Sequence, residues 1–127
     1  MTLGKIAQII GASVHTSSDP NRMEIRRIYA GDKMSDLLNE STRDTLLITN
    51  LNNQQLIRAA ELMDVPGICL VRGAVPGQDT VDILMESGTV LISSPYGMFE
   101  TCGILYANFR SEKQSSDEQS ILHDSRE

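Results

Sequence analysis

Val65-Pro66-Gly67-Ile68-Cys69-Leu70-Val71-Arg72-Gly73, followed by Thr80-Val81-Asp82-Ile83-Leu84-Met85 and Thr89-Val90-Leu91-Ile92-Ser93-Ser94-Pro95-Tyr96, is the stretch that decides the fold. The apolar runs at 68–71 and 90–92 are too short for helices and are bounded by Gly, Pro and Ser. Strands buried on both faces read this way. Each run leads into a loop and a helical pattern, the last carrying Phe99, Cys102, Leu105, Tyr106 and Phe109 on one stripe. A strand–helix–strand–helix unit predicts a parallel sheet with helices packed on it.

The residues before this unit read as more of the same. Thr2 caps a first helix with Leu3, Ile6, Ile9 and Ile10 at helical spacing, and Gly11 ends it. Residues 12–16 form a short strand with Ala12 and Val14 on one face, and residues 24–30 a second strand near an edge. Met34, Leu37 and Leu38 mark a short helix. Residues 45–49 are a central-strand candidate. Asn52 or Asn53 then caps an amphipathic helix through Leu56, Ile57, Ala60, Leu62 and Met63. Gln78 or Asp79 is expected to cap the next helix, and Pro95 to sit in the first turn of the last. The predicted fold is α/β: a mostly parallel central sheet of about five strands with helices on both faces, three layers in all. The domain covers residues 1–109. Residues 110–127 turn to Ser, Gln, Glu, Asp and Lys and read as a polar acidic tail, expected to be flexible, with Ile121-Leu122 as its one apolar pair.

Composition narrows the function. The chain has 127 residues and a net charge of −6, and phosphate-backbone binding needs a basic face, so nucleic acid is not an expected partner. Arg22, Arg26 and Arg27 read as a charged strand edge. No run approaches the ~18 apolar residues of a membrane span, and the N-terminus does not read as an export signal, so a cytoplasmic, reduced protein is expected. Cys69 and Cys102 lie inside apolar patterns and read as buried free thiols. Neither His15 nor His123 has metal-ligand spacing to a cysteine, and no metal or cofactor is expected.

In a parallel sheet, ligands collect beyond the carboxyl ends of the strands, beside helix N-termini. The loops there carry Gly31 and Asp32, Thr49 and Asn50, Arg72 and Gly73, and Ser93 and Ser94. Small residues, hydroxyls and one arginine converging on one edge suit a small anion or a nucleotide. The alternative is that they only cap helices and make turns. Arg72, a long cation directly after a buried strand, is the leading single candidate. Asp32 and Asp36, four apart, are expected to share a helix face; paired carboxylates of this kind hold Mg²⁺ in other proteins, but no phosphate-binding glycine loop with lysine accompanies them. Ser93, Ser94 and Cys102 have no base adjacent in sequence, so no catalytic residue is assigned.

Much of the chain resembles the DRTGG domain family. The likeness rests on residues 29–38 (Tyr29-Ala30-Gly31-Asp32 into a Ser-Asp-Leu helix), on Asp44-Thr45-Leu46-Leu47-Ile48-Thr49, on 66–76, and on Val90-Leu91-Ile92-Ser93-Ser94-Pro95-Tyr96 with Phe99-Glu100. Val71-Arg72-Gly73 stands where the family has Thr-Gly-Gly, and the eponymous string is absent. The family is similar to the N-terminal domain of HPr kinase/phosphorylase, whose kinase chemistry resides in another domain. It also occurs in CBS-domain pyrophosphatases and as a stand-alone protein encoded with iron-only hydrogenases. The resemblance implies nucleotide-responsive regulation, a homodimer and a link to hydrogenase or redox metabolism. The expected function is a non-catalytic regulatory or ligand-sensing module that binds a small anionic ligand or a protein partner. A purely structural dimerisation module and an enzyme acting on a phosphorylated substrate are the alternatives.

Overall fold

The computed structural model describes residues 1–121. Its elements are α1 (Leu3–Ile10), β1 (Ser13–Val14), a 3₁₀ turn (Pro20–Arg22), β2 (Arg27–Ala30), α2 (Met34–Glu40), β3 (Thr45–Thr49), α3 (Gln54–Leu62), β4 (Gly67–Leu70), α4 (Gln78–Ser87), β5 (Val90–Ser93) and α5 (Met98–Ile121). The five-stranded sheet has the order β1-β5-β4-β3-β2. β2 to β5 are parallel, and β1 runs antiparallel on β5 with Ser13 opposite Ser93. The α/β architecture with a mostly parallel sheet is therefore as expected.

Side chains alternate cleanly between the two sheet faces, as the pleat requires. Leu47, Ile68, Leu70 and Leu91 meet Leu37 of α2, Leu56, Ile57 and Ala60 of α3 and Leu84 of α4. Leu46, Ile48, Cys69, Val90 and Ile92 meet Leu3, Ile6 and Ile10 of α1 and Leu105 of α5. Each step from β2 to β5 moves one strand in the same direction. Right-handed crossovers then put α2, α3 and α4 on the same face. α1 and α5 come from outside that series and cover the other.

Capping follows the sequence where side chains do the work. The Thr2 hydroxyl accepts from the Lys5 N–H, Gly11 closes α1 at φ 63, and Asn53 accepts from the Leu56 N–H at 2.9 Å. Other expectations fail. α4 begins after Gly77, which offers no side-chain cap, so Gln78 and Asp79 are already helical. Pro95 lies in the bend before α5, because Ser94 and Tyr96 are engaged in tying that bend to the sheet. The second strand shortens to β2, and Val14 of β1 is exposed. α5 continues past Phe109 to Ile121, into the segment read as a polar tail. Residues 122–127, with Leu122 and His123, lie outside the described residues.

Candidate functional site

The parallel register sends all four candidate loops off one edge of the sheet. They are joined there as two couples. The Asp32 carboxylate accepts from the Thr49 hydroxyl at 3.1 Å and from the Asn50 N–H at 2.7 Å, tying the loop after β2 to the loop after β3. Asp32 precedes α2 and is turned toward β3, so it does not share a helix face with Asp36, contrary to the spacing argument. The second couple is main chain. The Arg72 N–H donates to Tyr96 O and the Gly73 N–H to Ser94 O, both at 2.7 Å, joining the loop after β4 to the loop after β5. Among the described residues no side-chain hydrogen bond or ion pair joins one couple to the other.

The turn after β4 is the unusual piece of this edge. Arg72 has φ 61 and Gly73 φ 63, and the Ala74 N–H reaches back to Val71 O at 3.3 Å. Positive φ at both central residues is the type I′ pattern, which favours Gly or Asn. A left-handed conformation costs a non-glycine residue about 1–2 kcal/mol. The first of these two positions is one where glycine would be least strained. Here an arginine occupies it, with its side chain exposed and its Nε near Gly97.

The hydroxyls divide from the other candidates by burial. Gly31, Asp32, Asn50, Arg72 and Gly73 are open to solvent to different degrees, whereas Thr49, Ser93 and Ser94 are buried. Ser94 Oγ shares a 2.7 Å hydrogen bond with the Thr101 hydroxyl, which anchors the start of α5. Ser93 Oγ donates to Ala74 O at 2.5 Å and lies 2.9 Å from His15 Nε2. Sequence reading left His15 unpartnered. Only the antiparallel pairing of β1 with β5 brings it to Ser93, and a two-residue strand gives almost no periodic signal. With the Ser93 proton directed at Ala74 O, His15 Nε2 must be the donor to Ser93 Oγ. That is the reverse of a general base activating a nucleophile.

Burial pushes the Cys69 thiol up to about 12, partly offset by a hydrogen bond from the Ser94 backbone, and burial also raises Cys102. Neither thiol is poised as a nucleophile. Among the described residues no cluster of His, Cys, Asp and Glu could hold a metal ion, and no helix is long and apolar enough to cross a membrane.

A second feature lies away from these loops. An apolar groove of about 860 Å³ runs between β2 and α5, lined by Ile28, Ala30, Phe99, Tyr106 and Phe109, with Arg26, Arg27 and Arg110 also beside it. The sequence placed Phe99 and Tyr106 on the core stripe of the last helix. Instead Phe99 is 89% exposed and Tyr106 66%. Leu105 of that stripe is buried as expected and Cys102 and Phe109 pack half-buried beside it, and Thr101, outside the expected stripe, is buried with them.

No family model matches the chain, and no curated protein matches it. A solved structure does. It is the regulatory region of Clostridium perfringens pyrophosphatase, with its CBS and DRTGG domains, complexed with the activator diadenosine tetraphosphate. The TM-score is 0.70 at 10% sequence identity, over 82% of this chain and 45% of that one. The chain thus spans less than half the length of the structure it matches, and what the two share is a fold of the DRTGG-like α/β kind.

Proposed function

We infer that this chain is a non-catalytic regulatory module that senses a small anionic ligand, such as a nucleotide, at the carboxyl edge of β2 to β5. The observation that carries the reading is Arg72. Its backbone is held in a conformation that glycine would adopt at lower cost, while its guanidinium is exposed beside the start of α5. Strained positions gather where a side chain has a task, and an exposed guanidinium recognises phosphate through paired N–H donors. Asn50, Gly73 and the half-exposed Gly31 line the same edge. That the structurally similar pyrophosphatase region binds diadenosine tetraphosphate supports a nucleotide as the ligand class. The Ser93 hydrogen bonding supports a module without chemistry of its own.

Thermal unfolding with ATP, diadenosine tetraphosphate and inorganic phosphate tests this. A ligand at 100 times its Kd stabilises the native state by about 2.7 kcal/mol. Arg72→Gly relieves the left-handed strain but adds chain entropy, so the free protein should gain roughly 0–1 kcal/mol. The same variant should lose the ligand-induced rise. A rise equal to wild type in Arg72→Gly, or none in wild type with any of the three ligands, would sink the reading. The alternative of a purely structural interaction module draws on the apolar strip of α5.

A further inference from the structure

β2 is an outer strand of the sheet and pairs only with β3. The Arg27 N–H donates to Asp44 O and the Gly31 N–H to Ile48 O, so these residues turn their main chain toward β3. In a parallel ladder the residues between them turn the other way. Ile28 and Ala30 therefore direct their N–H and C=O groups away from the sheet, and among the described residues nothing beyond the sheet bonds to them. Open edges of this kind are ordinarily blunted by charge, a bulge or a covering element. Arg27 is the charge on the α2 side, held by Glu40 at 2.6 Å. On the other side the edge borders an open apolar groove.

The same two residues form one wall of that groove with their side chains, and Phe99, Gly103 and Tyr106 of α5 form the other. All three are exposed, and a Cβ added at Gly103 would meet nothing within 4 Å, so the space between the walls is free. Exposed aromatics beside such a space mark an interaction surface. The pleat puts Arg26 on the face of Ile28 and Ala30. Its side chain is exposed and makes no ion pair among the described residues, whereas Arg110 donates to the Tyr106 hydroxyl. One end of an apolar groove thus carries a cation that the chain itself does not neutralise, although the chain is acidic overall.

We propose that β2 takes an extended segment of another protein as a further strand, with apolar side chains at alternate positions in the groove and an acidic residue at the Arg26 end. The main chain of the segment satisfies the outward groups of Ile28 and Ala30, and the groove and Arg26 select its side chains. An apolar anion without a peptide backbone would leave those main-chain groups unmatched. A second copy fits less well. Its own open strand of this kind is β2, and edge-to-edge pairing would gather Arg26 and Arg27 of both copies on one ribbon, where like charges repel. The loops carrying Arg72 and Gly73 take no part, so this surface stands or falls independently of the ligand reading.

Fluorescence anisotropy of the whole chain with short labelled peptides alternating Val and Thr reads the result. Two peptides carry Asp at opposite ends, and matching peptides carry Lys instead. At least one Asp peptide is expected to bind, about fivefold or more tighter than its Lys counterpart. Arg26→Glu changes an exposed side chain and should reverse that preference. Ala30→Pro removes one outward N–H at a position where an edge strand tolerates proline, and should weaken the Asp peptide by about fivefold. Should that variant fail to fold, Arg26→Glu carries the test. No binding by either Asp peptide overturns the proposal, and decanoate binding in that case assigns the groove to an apolar anion. Equal affinity for Asp and Lys peptides overturns it, as does unchanged Asp-peptide affinity in folded Arg26→Glu or folded Ala30→Pro.

Discussion

The two faces of the sheet are built by different rules. On one, each helix is the crossover between neighbouring strands, so the connection that forms the sheet also covers it. On the other, α1 and α5 come from outside the crossover series, and no strand-to-strand step obliges them to cover every strand. The first face buries Leu37, Leu56, Ile57 and Leu84 almost completely. The second leaves a groove over β2 and exposes Phe99 and Tyr106. Parallel topology guarantees helical cover for the sheet only where its own crossovers run.

The largest expected contrast comes from truncating one residue on each face. Leu56→Ala removes a side chain that is 1% exposed between α3 and the sheet, and should cost about 2–5 kcal/mol. Phe99→Ala removes a larger side chain from an 89% exposed position and should change the monomer by less than about 0.5 kcal/mol. Urea unfolding at concentrations where the chain is monomeric compares them. Similar losses in both variants would mean that Phe99 is packed and the two faces are alike.

The second contrast lies in the titration of the incompletely covered face. Cys69 points to the α1–α5 side, and its thiol is pushed up to about 12, whereas a cysteine in the unfolded chain titrates near 8.5. Above that unfolded value the denatured chain loses its proton first. The stability from keeping the thiol neutral is thus complete below about pH 8.5 and is lost as pH rises from there toward 12. The slope approaches about 1.4 kcal/mol per pH unit. Other groups also contribute to the pH dependence of the whole protein, so the readout is the difference between wild type and Cys69→Ala, whose unfolding free energy should fall less steeply above pH 9. Parallel slopes would mean that water reaches this side of the sheet.

Legibility in the sequence follows the same division. β3, β4 and β5 are short apolar runs because both of their faces are buried, and that demand is written in consecutive residues. α1 and α3 are legible for a related reason: Thr2 and Asn53 cap them with their own side chains. β1 is two residues long, so its pairing with β5 and the meeting of His15 with Ser93 are tertiary facts without a local signature. The carboxyl edge was legible as a set of loops, since a parallel sheet sends them off one side. Which of its hydroxyls serve as internal struts was not, because Ser and Thr suit either role. The α5 stripe misled for a specific reason. Phe99 and Tyr106 fit the same helical period as the buried Leu105, and the buried Thr101 satisfies its hydroxyl on Ser94 and so passes for a polar position.

The smallest effect tests whether the crossover face is complete at its helix ends as well as in its core. α4 starts after Gly77, whose φ of −70° any residue can adopt and whose Cβ would meet nothing within 4 Å. Its first-turn N–H groups therefore have no capping side chain. Gly77→Asp supplies an acceptor and places a negative charge at the positive end of the helix. The backbone is already extended at ψ 157, as an N-cap requires. Replacing glycine with aspartate there should stabilise by a few tenths of a kcal/mol, with up to about 0.5 kcal/mol more from reduced unfolded-chain freedom. A rise in melting temperature of a degree or more, reduced in 1 M salt, is the expected result. A loss of stability would mean that the open space at Gly77 is needed by the loop after β4, and that the carboxyl edge reaches farther along this face than Arg72 and Gly73.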